Sequence, residues 1–177
     1  MRTFLSKTAA AVLAIALVGC ADPHRLVVSV PEQRMAVYRD DALLATFPVS
    51  TSKFGHGDAP GTNYTPLGKL KVAKKIGDGQ PAGMKFKSRR PTGEIVPINA
   101  PGRDPIVTRI LWLKGREGQN KNAYGRYIYI HGTPEEAKLG SPASFGCVRM
   151  ASRDILWLYD LVGKGAKVDI VTAPLPN

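Results

Sequence analysis

The sequence predicts a mainly β, single-domain protein with one helix, and three observations carry that expectation. Short runs that alternate apolar and polar residues recur along the chain between clusters of turn formers. Only one stretch, after residue 151, has the 3.6-residue apolar spacing of an amphipathic helix. Once a leading apolar segment is set aside, about 157 residues remain, enough for one compact core and too few for two.

Taken in order, residues 1–19 read as a secretion signal. Arg2 and Lys7 make a positive start, an apolar run follows from Ala9 to Val18, and that run is too short to span a bilayer. Residues 20–25 form a short tether. Leu26–Val30 and Arg34–Arg39 alternate around Pro31-Glu32-Gln33, and Asp40-Asp41 turns the chain into Ala42–Ser50, an opening meander. Lys69–Lys75, Ile106–Leu113, Tyr127–His131 and Lys167–Val171 are further strand candidates, and 172–177 is a tail. For the helix, Ser152 is the expected cap and Asp154 suits the positive end. Ile155, Leu156, Tyr159 and Val162 form the apolar face, and Gly163 stops it. Gly77–Arg90, with four basic residues, and the glycine- and asparagine-rich Gly115–Arg126 read as long polar loops, either of which could roof a cleft.

The chemistry concentrates near the C-terminus. His131-Gly132-Thr133 is followed, sixteen residues after the histidine, by Cys147 within Ser144-Phe145-Gly146-Cys147-Val148-Arg149-Met150. A thiol is mostly protonated at neutral pH, so a nucleophilic cysteine needs a base, and a histidine at a strand end can supply one. Backbone N–H groups around Gly146 and Cys147 are candidates for an oxyanion hole. Three scattered histidines without a His-Glu-x-x-His or Cys-x-x-Cys pattern predict no metal, and no nucleotide-cradling glycine loop or other cofactor signature is present.

These residues resemble the L,D-transpeptidase catalytic domain of bacterial cell-wall enzymes. The likeness extends to Phe47-Pro-Val-Ser-Thr-Ser-Lys53, to Thr65-Pro-Leu-Gly68 and to the closing Val168-Asp-Ile-Val171, and so covers residues 26–171. It implies a β-sandwich in which the helix follows the cysteine loop. It also implies Cys147 as acyl-accepting nucleophile, His131 as general base and the Gly132 carbonyl as orienter of the imidazole. Ser144, Phe145 and Gly146 would shape the pocket, Arg149 would organise the loop or meet a substrate carboxylate, and Tyr129 would meet substrate. Phe145 departs from the histidine that most members carry there. The implied substrate is a peptidoglycan stem peptide. An amine acceptor would give a 3,3-crosslink or attach a protein to the wall, whereas water would give carboxypeptidase or endopeptidase activity. A peptidoglycan-binding lipoprotein without catalysis is the alternative of another class.

Leu17-Val18-Gly19-Cys20 resembles a bacterial lipobox, which implies a lipid anchor on Cys20 and an exported domain on the periplasmic face of a membrane. A lipidated Cys20 would leave Cys147 unpaired in an oxidising compartment. The net charge of +11, about +9 without the signal, favours polyanionic partners. Export argues against nucleic acid, and stem-peptide carboxylates agree with the charge.

Overall fold

The computed structural model describes residues 22–102 and 104–176. The signal segment and Cys20 lie outside the described residues. The opening meander is present as β1 (His24–Ser29), β2 (Arg34–Arg39) and β3 (Ala42–Pro48). Asp40 and Asp41 both take positive φ, the backbone that a two-residue hairpin of matching twist requires. β1 starts inside the stretch expected to be tether. His24 pairs with Arg39 and is buried, its Nδ1 lying 3.0 Å from the Asp22 carboxylate.

The rest of the sheet is assembled from distant parts of the chain. β4 (Gly68–Ile76), β7 (Ile106–Gly115) and β10 (Lys167–Val171) match or extend the other strand candidates, β8 (Tyr129–Gly132) starts two residues later than expected, and β9 (Val148–Met150) is a short strand that alternation does not single out. β10 lies parallel to β1 and antiparallel to β4, β4 pairs with β7, β7 with β8, and β8 runs parallel to β9. Ser50, just beyond β3, bridges Arg149 in β9, so the sheet curls until its two ends meet. Alternation then sends Leu26, Val28, Met35, Val37, Leu70, Leu111, Ile130 and Val148 into one shared core. Fully burying each such side chain stabilises by roughly 1.5–3 kcal/mol.

Two expectations need correction. The segment expected as a loop over Gly77–Arg90 contains β5 (Met84–Lys87), which pairs with β6 (Arg90–Ile95) and with β7. Met84 and Phe86 point inward from β5, and that burial outweighs the charges between them. The second correction concerns α1 (Ser152–Leu161). Ala151 holds the cap position, and the Ser152 hydroxyl is engaged 2.7 Å from Thr108 Oγ1 instead. The Ser152 N–H donates to the Glu136 carboxylate at 2.8 Å, so an acid from a separate turn satisfies the helix start. At the other end, the Lys75 ammonium donates to the Tyr159 and Val162 carbonyls.

Candidate active site

Strand register builds the site. In the parallel pair, His131 lies opposite Arg149 and Ile130 opposite Val148. Side chains alternate, so Ile130, Val148 and Met150 enter the core while His131 and Arg149 share the other face. Cys147, two residues before Arg149, falls on that same face. His131, Cys147, Ser144 and Phe145 line one pocket of about 170 Å³, together with Asp104, Ile106 and Arg149. Three separate stretches of the chain, 104–106, 131 and 144–149, are thus brought to one cavity.

His131 is buried, and its Nδ1 lies 2.8 Å from the Gly132 carbonyl oxygen. A carbonyl only accepts, so Nδ1 carries the proton and Nε2 keeps its lone pair. Gly132 is required on steric grounds as well. A Cβ there would lie 2.7 Å from the Val107 carbonyl and 3.0 Å from Thr108. β7 bulges opposite this point, between Val107 and Ile110, with the buried Thr108 at positive φ. For a β-branched residue that backbone is strained, and it sits against Gly132, next to the histidine.

Cys147 is half-buried. The Tyr129 N–H points at its sulfur from 3.4 Å, and the thiol faces the Tyr127 carbonyl at 3.5 Å. Burial pushes the thiol up to about 11, against the opposing pull of the Tyr129 N–H and the Arg126 charge. Burial likewise holds the His131 imidazole below its ordinary value, assisted by Arg149 and opposed by the Gly132 carbonyl and Asp104. Both groups therefore rest neutral, as thiol and imidazole.

The cysteine loop is clamped from below. Gly146 has φ of 117°, and a Cβ on it would press against the Tyr64 and Asn63 carbonyls at 3.2 and 3.3 Å. Thr65 Oγ1 donates to the Gly146 carbonyl at 3.0 Å and accepts the Ser52 N–H at 3.0 Å. The two upstream segments, around Ser52 and Thr65, thus act through this loop. Ser144 is a turn residue, its hydroxyl donating to the Cys147 carbonyl and accepting the Gly146 N–H at 3.2 Å. That contact engages the Gly146 N–H, one of the two donors expected at an oxyanion hole.

The two residues expected to meet substrate are both engaged within the protein. The Arg149 side chain is 1 % exposed. Its guanidinium donates to Asp104 at 2.5 Å, to Glu135 at 2.8 Å and to the Ser50 hydroxyl at 3.1 Å. Its charge is matched twice inside the protein, so it braces the loop. Tyr129 packs its ring edge-on against Trp112 in a buried aromatic cluster, and what it offers the sulfur is backbone. Phe145, by contrast, is exposed at the pocket mouth. Its ring lies 5.6 Å from that of Phe54, with the Lys53 ammonium 4.5 Å above it.

Sequence reasoning missed Asp104, which meets both Arg149 and the Thr133 hydroxyl. It stands in a Gly-Arg-Asp-Pro stretch with no periodicity to single it out. Neither long polar segment lines the pocket. Asn120 and Arg126, in the second, are tied to backbone of residues 57–69. Among the described residues no group of three or more His, Cys, Asp or Glu side chains is placed to hold a metal ion.

Comparison with known proteins identifies the family. A putative L,D-transpeptidase YkuD of Bacillus licheniformis is 28% identical over 148 residues, covering 84% of this chain and 66% of its own length. The probable L,D-transpeptidase ErfK/SrfK of Escherichia coli K12 is 28% identical over 153 residues, covering 85% of this chain and 44% of its own. The chain thus spans between about half and two-thirds of these relatives. Among solved structures, the L,D-transpeptidase of Xylanimonas cellulosilytica superposes with a TM-score of 0.55 at 16% identity, covering 86% of this chain and 62% of that one. L,D-transpeptidase 3 of Mycobacterium tuberculosis, solved with a faropenem-derived adduct, gives 0.54 at 18% identity over 84% and 60%. At these identities the structures speak for the fold alone. The family match is broader, since residues 23–170 fit the YkuD family, described as the L,D-transpeptidase catalytic domain, and the chain belongs to that family.

Proposed function

We propose that this protein is a cysteine L,D-transpeptidase acting on peptidoglycan tetrapeptide stems. The observation that carries the reading is one cavity lined by the Cys147 thiol and by an imidazole whose Nδ1–H is fixed on the Gly132 carbonyl. Nε2 is then the atom available to take the thiol proton as sulfur attacks the carbonyl between the third and fourth stem residues. The same nitrogen returns that proton to the departing D-alanine amine, leaving a thioester. An amine acceptor gives its proton to His131 as it attacks, and the thiol is restored when the new amide forms. With the Gly146 N–H occupied by Ser144, the Cys147 N–H is the remaining donor of that turn for the tetrahedral oxyanion. A neutral resting pair fits this sequence, because the proton moves during attack and not before it.

Phe145 bears on the acceptor. In place of a titratable ring, the pocket mouth carries an apolar shelf with an ammonium above it. We place the domain on the periplasmic face of a membrane, held by lipid on Cys20. Intact-mass spectrometry after incubation with a carbapenem should show a covalent adduct on the wild type and none on Cys147→Ala. An unmodified wild type would remove the nucleophile from the account. Muropeptide analysis with a defined tetrapeptide then distinguishes 3,3-crosslinks from a shortened tripeptide, the product expected if water is the acceptor. Binding of sacculi without any muropeptide change would favour a non-catalytic anchor.

A further inference from the structure

The register of the sheet sets four basic side chains in a row straight across four strands. Arg25 in β1 pairs with Lys167 in β10, Lys167 with Lys71 in β4, and Lys71 with Lys114 in β7. Directly opposed residues have Cβ atoms only about 5 Å apart, and like charges there are destabilising. The Arg25 end is compensated by Asp41 and Asp169 at 3.7 and 3.8 Å. Next along the row, Lys167 shares a cavity with Asp22, Asp40 and Asp41 but forms no close ion pair. Among the described residues, no carboxylate lies within 4.0 Å of the ammonium groups of Lys71, Lys114 or Lys167. Lys71 and Lys114 open onto a 460 Å³ groove that Lys74, Lys164 and Tyr124 also line, with no acidic residue in its wall.

We propose that this groove and the lysine row are a docking surface for anionic phospholipid headgroups of the membrane beside which the domain is held. Four ammonium groups around an open groove favour a ligand presenting several negative charges at once, as an anionic lipid surface does. The path of the chain selects that occupant over a free polyanion. The Asp22 carboxylate accepts the Gly163 N–H, immediately before Lys164, so the chain enters the domain at the rim of the groove. Asp22 follows Cys20 by two positions, a span of at most ~7 Å. Lipid on Cys20 would therefore bring the groove within about a Debye length of headgroups, where each lysine contributes to binding. The inference uses the proposed anchor for orientation, and the two fail separately. Mass spectrometry of membrane-extracted protein reads acylation of Cys20, whereas vesicle binding by unlipidated protein reads the lysines.

The test uses the mature chain, from residue 20 onward and carrying Cys20→Ser, so that neither an acyl chain nor the apolar signal segment contributes. Its flotation is compared on phosphatidylcholine vesicles with and without about 30% phosphatidylglycerol, at about 0.1 and 0.5 M salt. Preference for the anionic vesicles is expected, weakening at the higher salt. Lys71→Gln/Lys74→Gln/Lys114→Gln/Lys164→Gln in the same background should lose at least about tenfold in affinity for them. The matched control Arg34→Gln/Lys87→Gln/Arg90→Gln/Arg153→Gln removes equal charge elsewhere and should keep most of it. Circular dichroism and the thermal midpoint check folding, and the midpoint of the groove variant should not fall, since it relieves like-charge pairs. Indifference to vesicle charge, or equal losses in both quadruple variants, overturns the proposal. Tight binding of soluble polyphosphate without vesicle binding overturns it too, assigning the groove to a free polyanion.

Discussion

At the scale of single residues, the site is defined as much by what its groups cannot do as by what they can. Arg149 is spent on two internal carboxylates, so removing it exposes their mutual repulsion. Arg149→Met leaves Asp104 and Glu135 facing each other without their cation, and a loss of about 3–5 kcal/mol is expected in urea denaturation. Arg149→Lys keeps the charge but not the fork that reaches Ser50, and should fall between. A wild-type midpoint for Arg149→Met would return this residue to a substrate role. Cys147 invites a reactivity test. With the thiol pushed up to about 11, labelling by iodoacetamide should still rise about tenfold per pH unit between pH 7 and 10. A plateau below pH 8 would mean a preformed thiolate–imidazolium pair.

At the scale of elements, the cysteine loop depends on two upstream segments, around Ser52 and Thr65. Thr65 Oγ1 joins the Gly146 carbonyl to the Ser52 N–H. Thr65→Val keeps the shape and leaves both buried backbone groups unpaired, at about 1–3 kcal/mol each. Carbapenem acylation should slow while Thr65→Ser, which restores the hydroxyl, recovers it; equal rates in all three would detach the loop from this clamp. Elements whose information is local were legible. The β1–β2–β3 meander, β10 and the body of α1 follow from alternation, turn residues and helical spacing, and the fold class follows from them. Others answered to partners far along the chain. β5 carries an inward Met84 and Phe86, but within glycines and cations the four-residue alternation is too brief to outweigh a loop reading. β9 has three residues and exists because β8 and Ser50 flank it. The start of α1 is satisfied by Glu136, which helical spacing cannot reveal. The same limit explains the site: Cys147, His131 and Gly132 stand in one motif, whereas Asp104 joins them only through the curl of the sheet.

For the whole molecule, His131 and Cys147 each contribute one limb of the pH–stability curve. An imidazole held below its ordinary 6.5 binds fewer protons in the folded protein than in the unfolded chain. Stability from this group is therefore complete above about pH 6.5 and declines as the pH falls through it. The thiol acts in the opposite direction. Unfolded, it ionises near 9.0; folded, near 11, so between those values the unfolded chain holds fewer protons and stability declines as the pH rises. Tyr129 and Tyr159, both raised by burial above 10.0, steepen that limb only beyond pH 10. Glu135 steepens the acid limb only below its ordinary 4.5. Burial alone would raise it, but Lys138 and Arg149 outweigh that and hold it down. Urea midpoints measured from pH 4 to 10.5 should thus show a plateau between about 7 and 9. His131→Gln should flatten the fall between pH 6.5 and 5 while leaving the alkaline limb, and Cys147→Ala should do the reverse. If neither substitution changes its limb, the two groups are not the neutral, desolvated pair from which the proton-transfer step starts.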